Sequence, residues 1–311
     1  MELRKVGSLE VTVAGLGCNN FGGRMDEARV KVVVDACLDA GINNFDTAES
    51  YGGGLSEQFL GRALGKRRGE AVITTKVSGF GAPEGVNGGS PEWIAQAVEN
   101  SLGRLGTDYI DLYLLHRPDP TPIGDTLEAF GQLIAEGKVR EVGCSNFTAE
   151  MLEEASAAAK ERGVPEFVNV QNHYSVLDRT AEESVIPACE KLGITLMPYF
   201  PLASGVLTGK YKRGEAAPEG TRLAAWGERA SMMLSDDRMD AVDRLTAYAQ
   251  DHGHTLPELA LSYLAGSPTV ASVIAGATSP EQVNANAAAT TAWQLTDEER
   301  AEVRELARLG S

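Results

Sequence analysis

The stretch IDLYLLHRPDPTPIGDTLEAFGQLIAEGKVREVGC, residues 110–144, contains one complete unit of the fold. Residues 110–115 form a short run, apolar but for Asp111, with the length and composition of a strand buried on both faces. Residues 126–136 place Leu127, Phe130, Leu133 and Ile134 at helical spacing and stop at Gly137, a residue suited to the left-handed position after a helix. Residues 139–144 resume a buried strand run, so the stretch reads strand–helix–strand with parallel strands.

Outward from this unit the alternation repeats. Strand runs are expected near 13–16, 43–47, 71–77, 110–115, 139–144, 167–171, 194–199 and 270–275. Helical patterns fill 29–40, 56–64, 92–105, 126–136, 150–162 and 182–192, and the long seventh connection carries helices near 239–251 and 257–264. Gly41, Gly65, Gly137 and Gly193 mark helix ends, and Ser90-Pro91 reads as an N-cap followed by proline. Thr296 and Glu299 form a capping box that opens a final helix through about Leu309. A short hairpin over residues 3–11, turning at Gly7-Ser8, precedes the first unit. Eight units predict an α/β fold, a (β/α)8 barrel with an N-terminal hairpin, and no linker divides residues 1–311, so one domain is expected. Three long segments, 79–89, 204–237 and the C-terminal tail, are expected at the barrel mouth. The first is Gly-rich and expected to be mobile. The second clusters Lys210, Lys212, Arg213 and Arg222.

With 28 Lys and Arg against 44 Asp and Glu, the formal charge is −16, which opposes nucleic acid and anionic membrane as partners. Cys18, Cys37, Cys144 and Cys189 are scattered, as in a reduced cytoplasmic protein. The four histidines, His116, His173, His252 and His254, are too dispersed for a metal cage, so no metal is expected.

Chemistry-bearing groups gather at strand ends. Asp46 ends the second run, Lys76 the third and His116 the fourth, and Tyr51 follows Asp46 by one short loop. Singly, each has an ordinary reading: a helix cap, a snorkelling lysine, a loop aromatic, a satisfied histidine. Together they suit proton transfer. A lysine ammonium beside a tyrosine hydroxyl favours tyrosinate and is expected to pull the Tyr51 pKa below its usual value of about 10. Asp46 would hold Lys76 charged, and His116 would donate to a substrate oxygen.

These motifs resemble the aldo-keto reductase family. Residues 41–52, GINNFDTAESYG, are similar to its first signature, LLHRPD at 114–119 to its histidine motif, and GKVREVGCSNF at 137–147 to its most recognisable strand. The likeness is nearer the bacterial and channel-β-subunit-like branches than the short-loop aldose reductase type. It implies NAD(P)H-dependent reduction of an aldehyde or ketone, with Tyr51 as general acid, Asp46 and Lys76 tuning it, and His116 orienting the carbonyl. It also implies that Ser145, Asn146 and Gln171 hold the carboxamide and that Tyr199 stacks on the nicotinamide. By the same resemblance Cys18, Asn19 and Asp46 border the cofactor, as does the stretch of Phe200, Pro201, Leu202, Ala203, Gly205, Thr208 and Lys210. Arg222 and the loop bearing Gly276, Thr278, Gln282 and Asn286 would meet its adenosine phosphates. Phe200 stands where many relatives carry serine, so a hydroxyl contact to phosphate is lost or replaced. Ser279 and Gln282 also read as a helix capping box. With Lys210 and Arg222 as the cations, NADPH is expected over NADH, although NAD(H) fits the family too. Asn20, Phe21, Met25, Phe80 and Trp226 are candidates for the substrate pocket. Three other functions compete: a cofactor-binding redox sensor with slow turnover, a Schiff-base lyase acting through Lys76, and, most weakly, a metal hydrolase. The carbonyl substrate and the oligomeric state are not legible.

Overall fold

The computed structural model describes residues 1–226 and 228–310, with the side chains of 225, 226, 228 and 229 outside the description. A hairpin, β1 (Leu3–Val6) and β2 (Leu9–Thr12), precedes β3 (Ala14–Gly17), β4 (Asn44–Asp46), β5 (Val72–Val77), β6 (Ile110–Leu115) and β7 (Val139–Ser145). Then come β8 (Asn169–Gln171), β9 (Thr195–Leu196) and β10 (Val273–Gly276). Strands β3 to β10 form one parallel sheet in the order β10-β3-β4-β5-β6-β7-β8-β9. A bridge between Leu196 and Val270 joins its two ends, with Leu196 N–H donating to Thr269 at 2.8 Å and Ala271 N–H donating to Leu196 at 2.9 Å. The result is the (β/α)8 barrel, with the strand ends that bear Asp46, Lys76 and Gln171 gathered on one face.

Two apolar layers hold it. The inner one packs Val6, Leu9 and Val11 of the hairpin against Leu112, Leu114, Met197, Ala271 and Ile274 inside the barrel. The hairpin plugs the N-terminal end, where Arg4 donates to the Val270 carbonyl at 2.6 Å and Ser8 N–H donates to Glu141 at 2.7 Å. The outer layer seats the helices on the sheet, using Val30, Val34, Leu60, Ile94, Val98, Leu127 and Phe130, none with exposed surface.

Local departures from the sequence expectation have local causes. The seventh strand was expected to run to residue 199 but ends at Leu196, because Pro198 has no N–H for a ladder. Tyr199 stays tied to its neighbour by donating from N–H to Asn172 at 3.1 Å. The helix expected over 182–192 breaks at Ser184 into Thr180–Glu183 and Val185–Leu192. The break puts Pro187 in a first turn, where its missing N–H removes no helical bond. Ser90 stands at an N-cap, but its hydroxyl donates to the Asn87 carbonyl instead of capping. The Thr296–Glu299 capping box is complete, and its helix ends at Leu306. No helix among the described residues is long and apolar enough to cross a membrane.

Candidate active site

Register explains the floor of the site. Asp46 pairs with Thr74, and side chains alternate along a strand, so Thr74 and Lys76 turn the same way as Asp46. Asp46 Oδ1 accepts from Lys76 Nζ at 2.8 Å and from Gln171 Nε2 at 2.6 Å. Lys76 Nζ also donates to the Thr47 carbonyl at 2.6 Å. Lys76 is 1% exposed and Asp46 4%. Two charges so deep are tolerable only when paired and hydrogen-bonded, as here. Burial opposes the ammonium, yet Asp46 and Tyr51 together hold the Lys76 pKa above its ordinary value. A lysine kept charged is a poor amine nucleophile, which weighs against a Schiff-base lyase.

Tyr51 opens a tight turn, Tyr51–Gly54, in which Gly52 has φ 58° and Gly53 φ 65°. A Cβ on Gly52 would lie 2.6 Å from the Phe21 carbonyl oxygen, so glycine there lets the loops after β3 and β4 touch. The turn sets the Tyr51 ring 5.3 Å from Lys76 Nζ and 5.9 Å from the His116 ring, edge to face. The electrostatic balance corrects the sequence expectation. Burial raises the Tyr51 pKa above 10, and the opposing pull of Lys76 is the smaller effect. The hydroxyl therefore holds its proton firmly, and Lys76 serves to stabilise the charge left when that proton leaves. His116 is pushed down to about 3 by burial, then by Lys76 and Arg117, so its ring is neutral near pH 7. Its buried Nδ1 has no hydrogen-bond partner.

The remaining candidates fall into two groups. One gathers around the floor. Ser145 donates to the Gln171 carbonyl at 2.8 Å, and Asn146, at φ 63°, donates to the His116 carbonyl at 3.0 Å. Tyr199 donates to Asn146 Oδ1 at 2.7 Å, and buried Cys18 donates from its N–H to the Asp46 carbonyl at 2.8 Å. The other group lies along the loops. Phe200, Ala203 and Ser204 all have positive φ, an unusual cluster for residues bearing side chains, which the sequence did not announce. Leu202 is half-buried and Pro201 buried beside them, Thr208 donates to the Gly205 carbonyl at 2.7 Å, and exposed Lys210 reaches toward Gly205. Arg222 donates to Asn19 at 2.9 Å and to Asn20 at 3.4 Å, with its guanidinium 5.3 Å over the Phe200 ring. Phe200 thus supplies a seat for a cation where a hydroxyl was missed. At the far end Gln282 Oε1 accepts from Thr278 N–H at 2.9 Å, Ser279 Oγ accepts from Gln282 N–H, and Asn286 donates to the Gly276 carbonyl at 3.3 Å. The expected S-x-x-Q box is therefore half formed, because Gln282 bonds Thr278 rather than Ser279.

Three features went unread in the sequence. Arg29, on the helix Glu27–Asp39, donates to the Thr278 carbonyl at 3.2 Å and brings a cation to the loop where none was expected. His173 stacks on Tyr199, 5.6 Å between centroids at 8°, and is paired through Nδ1 with Asp178 at 3.0 Å. Glu49 binds the chain just beyond Lys76. Arg213, by contrast, is committed to Asp236, Asp240 and Asp243 and leaves the expected basic cluster. Among the pocket candidates, Asn20, Phe21 and Met25 are buried and Phe80 is exposed. The Trp226 side chain lies outside the described residues.

The donor set suits a nicotinamide dinucleotide. Amide and hydroxyl groups converge beside the Asp46–Lys76 pair, a half-buried aromatic ring stands at the end of the seventh strand run, and the helix Pro280–Thr290 starts beside Thr278, where backbone N–H groups favour anions.

Comparison with known proteins agrees. The model of the "Aldo/keto reductase family" matches residues 14–308. A "probable voltage-gated potassium channel subunit beta" from Arabidopsis thaliana is 36% identical over 92% of this chain and 90% of its own. An "NADH-specific methylglyoxal reductase" from Escherichia coli is 32% identical over 97% of each. Among solved structures, aldo-keto reductase AKR11C1 from Bacillus halodurans in its holo form superposes with a TM-score of 0.79 at 35% identity, over 99% of this chain and 97% of that one.

Proposed function

The chain belongs to the aldo/keto reductase family, and from that premise we propose that it reduces a small aldehyde or ketone to an alcohol with Tyr51 as general acid. The observation that carries this reading is the buried Asp46–Lys76 pair set against the Tyr51 ring, with neutral His116 at its edge. The nicotinamide cofactor supplies the reducing equivalent when bound. The chain's own groups do the rest. His116 donates a hydrogen bond to the carbonyl oxygen and polarises it. Tyr51 delivers the proton as negative charge develops there, and Lys76 stabilises the tyrosinate that remains. Asp46 keeps Lys76 charged and in place, and Gln171 holds Asp46 by donating to its Oδ1.

Ser145, Asn146 and Gln171 would hold the carboxamide, and Tyr199 would stack on the ring. NADPH is proposed as the preferred cofactor. A 2′-phosphate brings about two negative charges, and Arg222, Lys210 and Arg29 are the cations along the expected path. The NADH-specific relative keeps the opposite preference as the alternative to test. A panel of aldehydes, ketones, quinones and sugars, followed at the NADPH and NADH absorbance, tests both points. Consumption with at least one carbonyl, faster with NADPH, is expected; none with any carbonyl overturns the reading. The channel-subunit relatives favour one second reading, a cofactor-holding redox sensor. Cofactor retained through purification with negligible steady-state rate distinguishes it.

A further inference from the structure

The first signature segment holds a second buried carboxylate that the proposed chemistry does not use. Glu49 lies between Asp46 and Tyr51 and is 1% exposed. Its Oε1 accepts from Ser78 N–H at 2.6 Å, Ser78 Oγ at 3.1 Å and Phe80 N–H at 3.1 Å. Its own N–H donates to the Lys76 carbonyl at 3.3 Å, while His116 N–H donates to the Val77 carbonyl at 2.9 Å. The chain therefore leaves β5 held by Glu49 on one side and by His116 on the other.

Just beyond, the chain closes on itself. A Cβ on Gly88 would lie 2.7 Å from the Ser78 carbonyl carbon and 2.8 Å from the Gly79 nitrogen, so only glycine lets the two limbs touch. Asp119 ties down the far limb by accepting from the N–H groups of Gly89 and Thr121, and Thr126 Oγ1 donates to the Gly89 carbonyl at 2.7 Å. The segment 79–89 thus forms a ring clasped at both ends. It carries Phe80, 43% exposed, and Val86, 38% exposed, in the connection that follows β5. A large apolar side chain on a backbone held this way contributes to binding with less loop ordering to be done first.

Building on the carbonyl-reductase reading, we propose that Glu49 is a positioning residue that fixes Phe80 as an apolar lip of the pocket, favouring carbonyls with an aromatic or long alkyl group over small ones. The test compares 3-phenylpropanal with propanal in wild type, Glu49→Ala, Glu49→Gln and Phe80→Ala, alongside NADPH affinity and amide hydrogen exchange. In Glu49→Ala the Ser78 and Phe80 amides should lose protection. The kcat/KM ratio of 3-phenylpropanal to propanal should fall about tenfold, chiefly through KM, the order expected for losing part of a buried aromatic contact. NADPH affinity should hold. Phe80→Ala should lower the ratio while leaving the Ser78 amide protected. Glu49→Gln, which keeps an acceptor oxygen, should restore both protection and ratio.

Unchanged protection in Glu49→Ala overturns the proposal. So does a parallel loss for both aldehydes together with weaker NADPH binding, which marks a scaffold residue. If Glu49→Ala does not fold, an unchanged ratio in Phe80→Ala overturns it instead. If wild type reduces no carbonyl at all, the reductase reading fails, and amide exchange still decides whether Glu49 holds the loop.

Discussion

The floor of the site and the segment over residues 204–237 are built on opposite plans. On the floor, Asp46, Lys76 and Gln171 come from three strands, are nearly inaccessible and satisfy one another. Their relative positions follow from sheet register, so moving any one of them means moving a strand. The long segment instead reaches the mouth through side chains: Arg24 to the Gly220 carbonyl, and Arg222 to Asn19, Asn20 and Phe200. Its contacts are half-exposed and individually weak. On the proposed function the chemical step falls to the floor and the hold on the adenosine phosphates to the long segment, so substitutions in the two should fail differently.

Lys76→Met gives the largest separation. It leaves Asp46 charged, buried and without its cation, a loss of about 3–5 kcal/mol in stability. It should also lower kcat/KM by about 10²–10³-fold through the loss of preorganised charge beside Tyr51. Because Lys76 opposes the rise that burial imposes on the Tyr51 pKa, its loss should move the alkaline limb of kcat/KM upward. A variant with an unchanged pH–rate profile would place Lys76 outside the reaction.

Tyr199→Ala probes the border of the two regions. Losing one stacked ring costs about 1–3 kcal/mol of cofactor affinity, read by quenching of intrinsic fluorescence, with little change in turnover at saturation. Unchanged affinity would move Tyr199 and its partner His173 into the scaffold.

On the long segment, Arg222→Ala should raise KM for NADPH at least about several-fold and barely affect NADH, because a 2′-phosphate is recognised through charge-assisted bonds. Equal effects on both cofactors would assign Arg222 to groups they share. Arg29→Ala would then carry the discrimination at Thr278.

The smallest effect concerns His116. With its pKa lowered to about 3, its ring stays neutral from about pH 5 to 8, so kcat/KM should show no inflection from it there. A folded-state pKa below the ordinary 6.5 also means that the stability tied to neutral His116 is present above 6.5 and is lost as pH falls toward 3. His116→Gln should therefore melt with less acid sensitivity than wild type across that window. An identical pH dependence of melting would contradict a buried neutral imidazole.

The same contrast explains what the sequence could show. Parallel strands of a barrel all end on one face, so Asp46, Tyr51, Lys76 and His116 could be placed at one mouth from their positions at or just after strand ends. Periodicity carries no sign for the competition between burial and Lys76 at Tyr51, which depends on how deep the ring lies. Loop partners were less legible. Arg213 and Arg222 look alike in sequence, yet one meets three aspartates and the other two asparagines and an aromatic ring. Glu49 is silent in the sequence, because nothing local announces that its partners are Ser78 and Phe80.

If the buried strand-end cluster performs the proton transfer, Tyr51→Phe removes the proton donor itself. The measurement is NADPH consumption at saturating cofactor with the best carbonyl of the panel, paired with cofactor affinity by fluorescence. The expected result is a loss of about 10²–10⁴-fold in turnover, the range for removing a general acid, with affinity nearly unchanged. Turnover close to wild type would contradict the account.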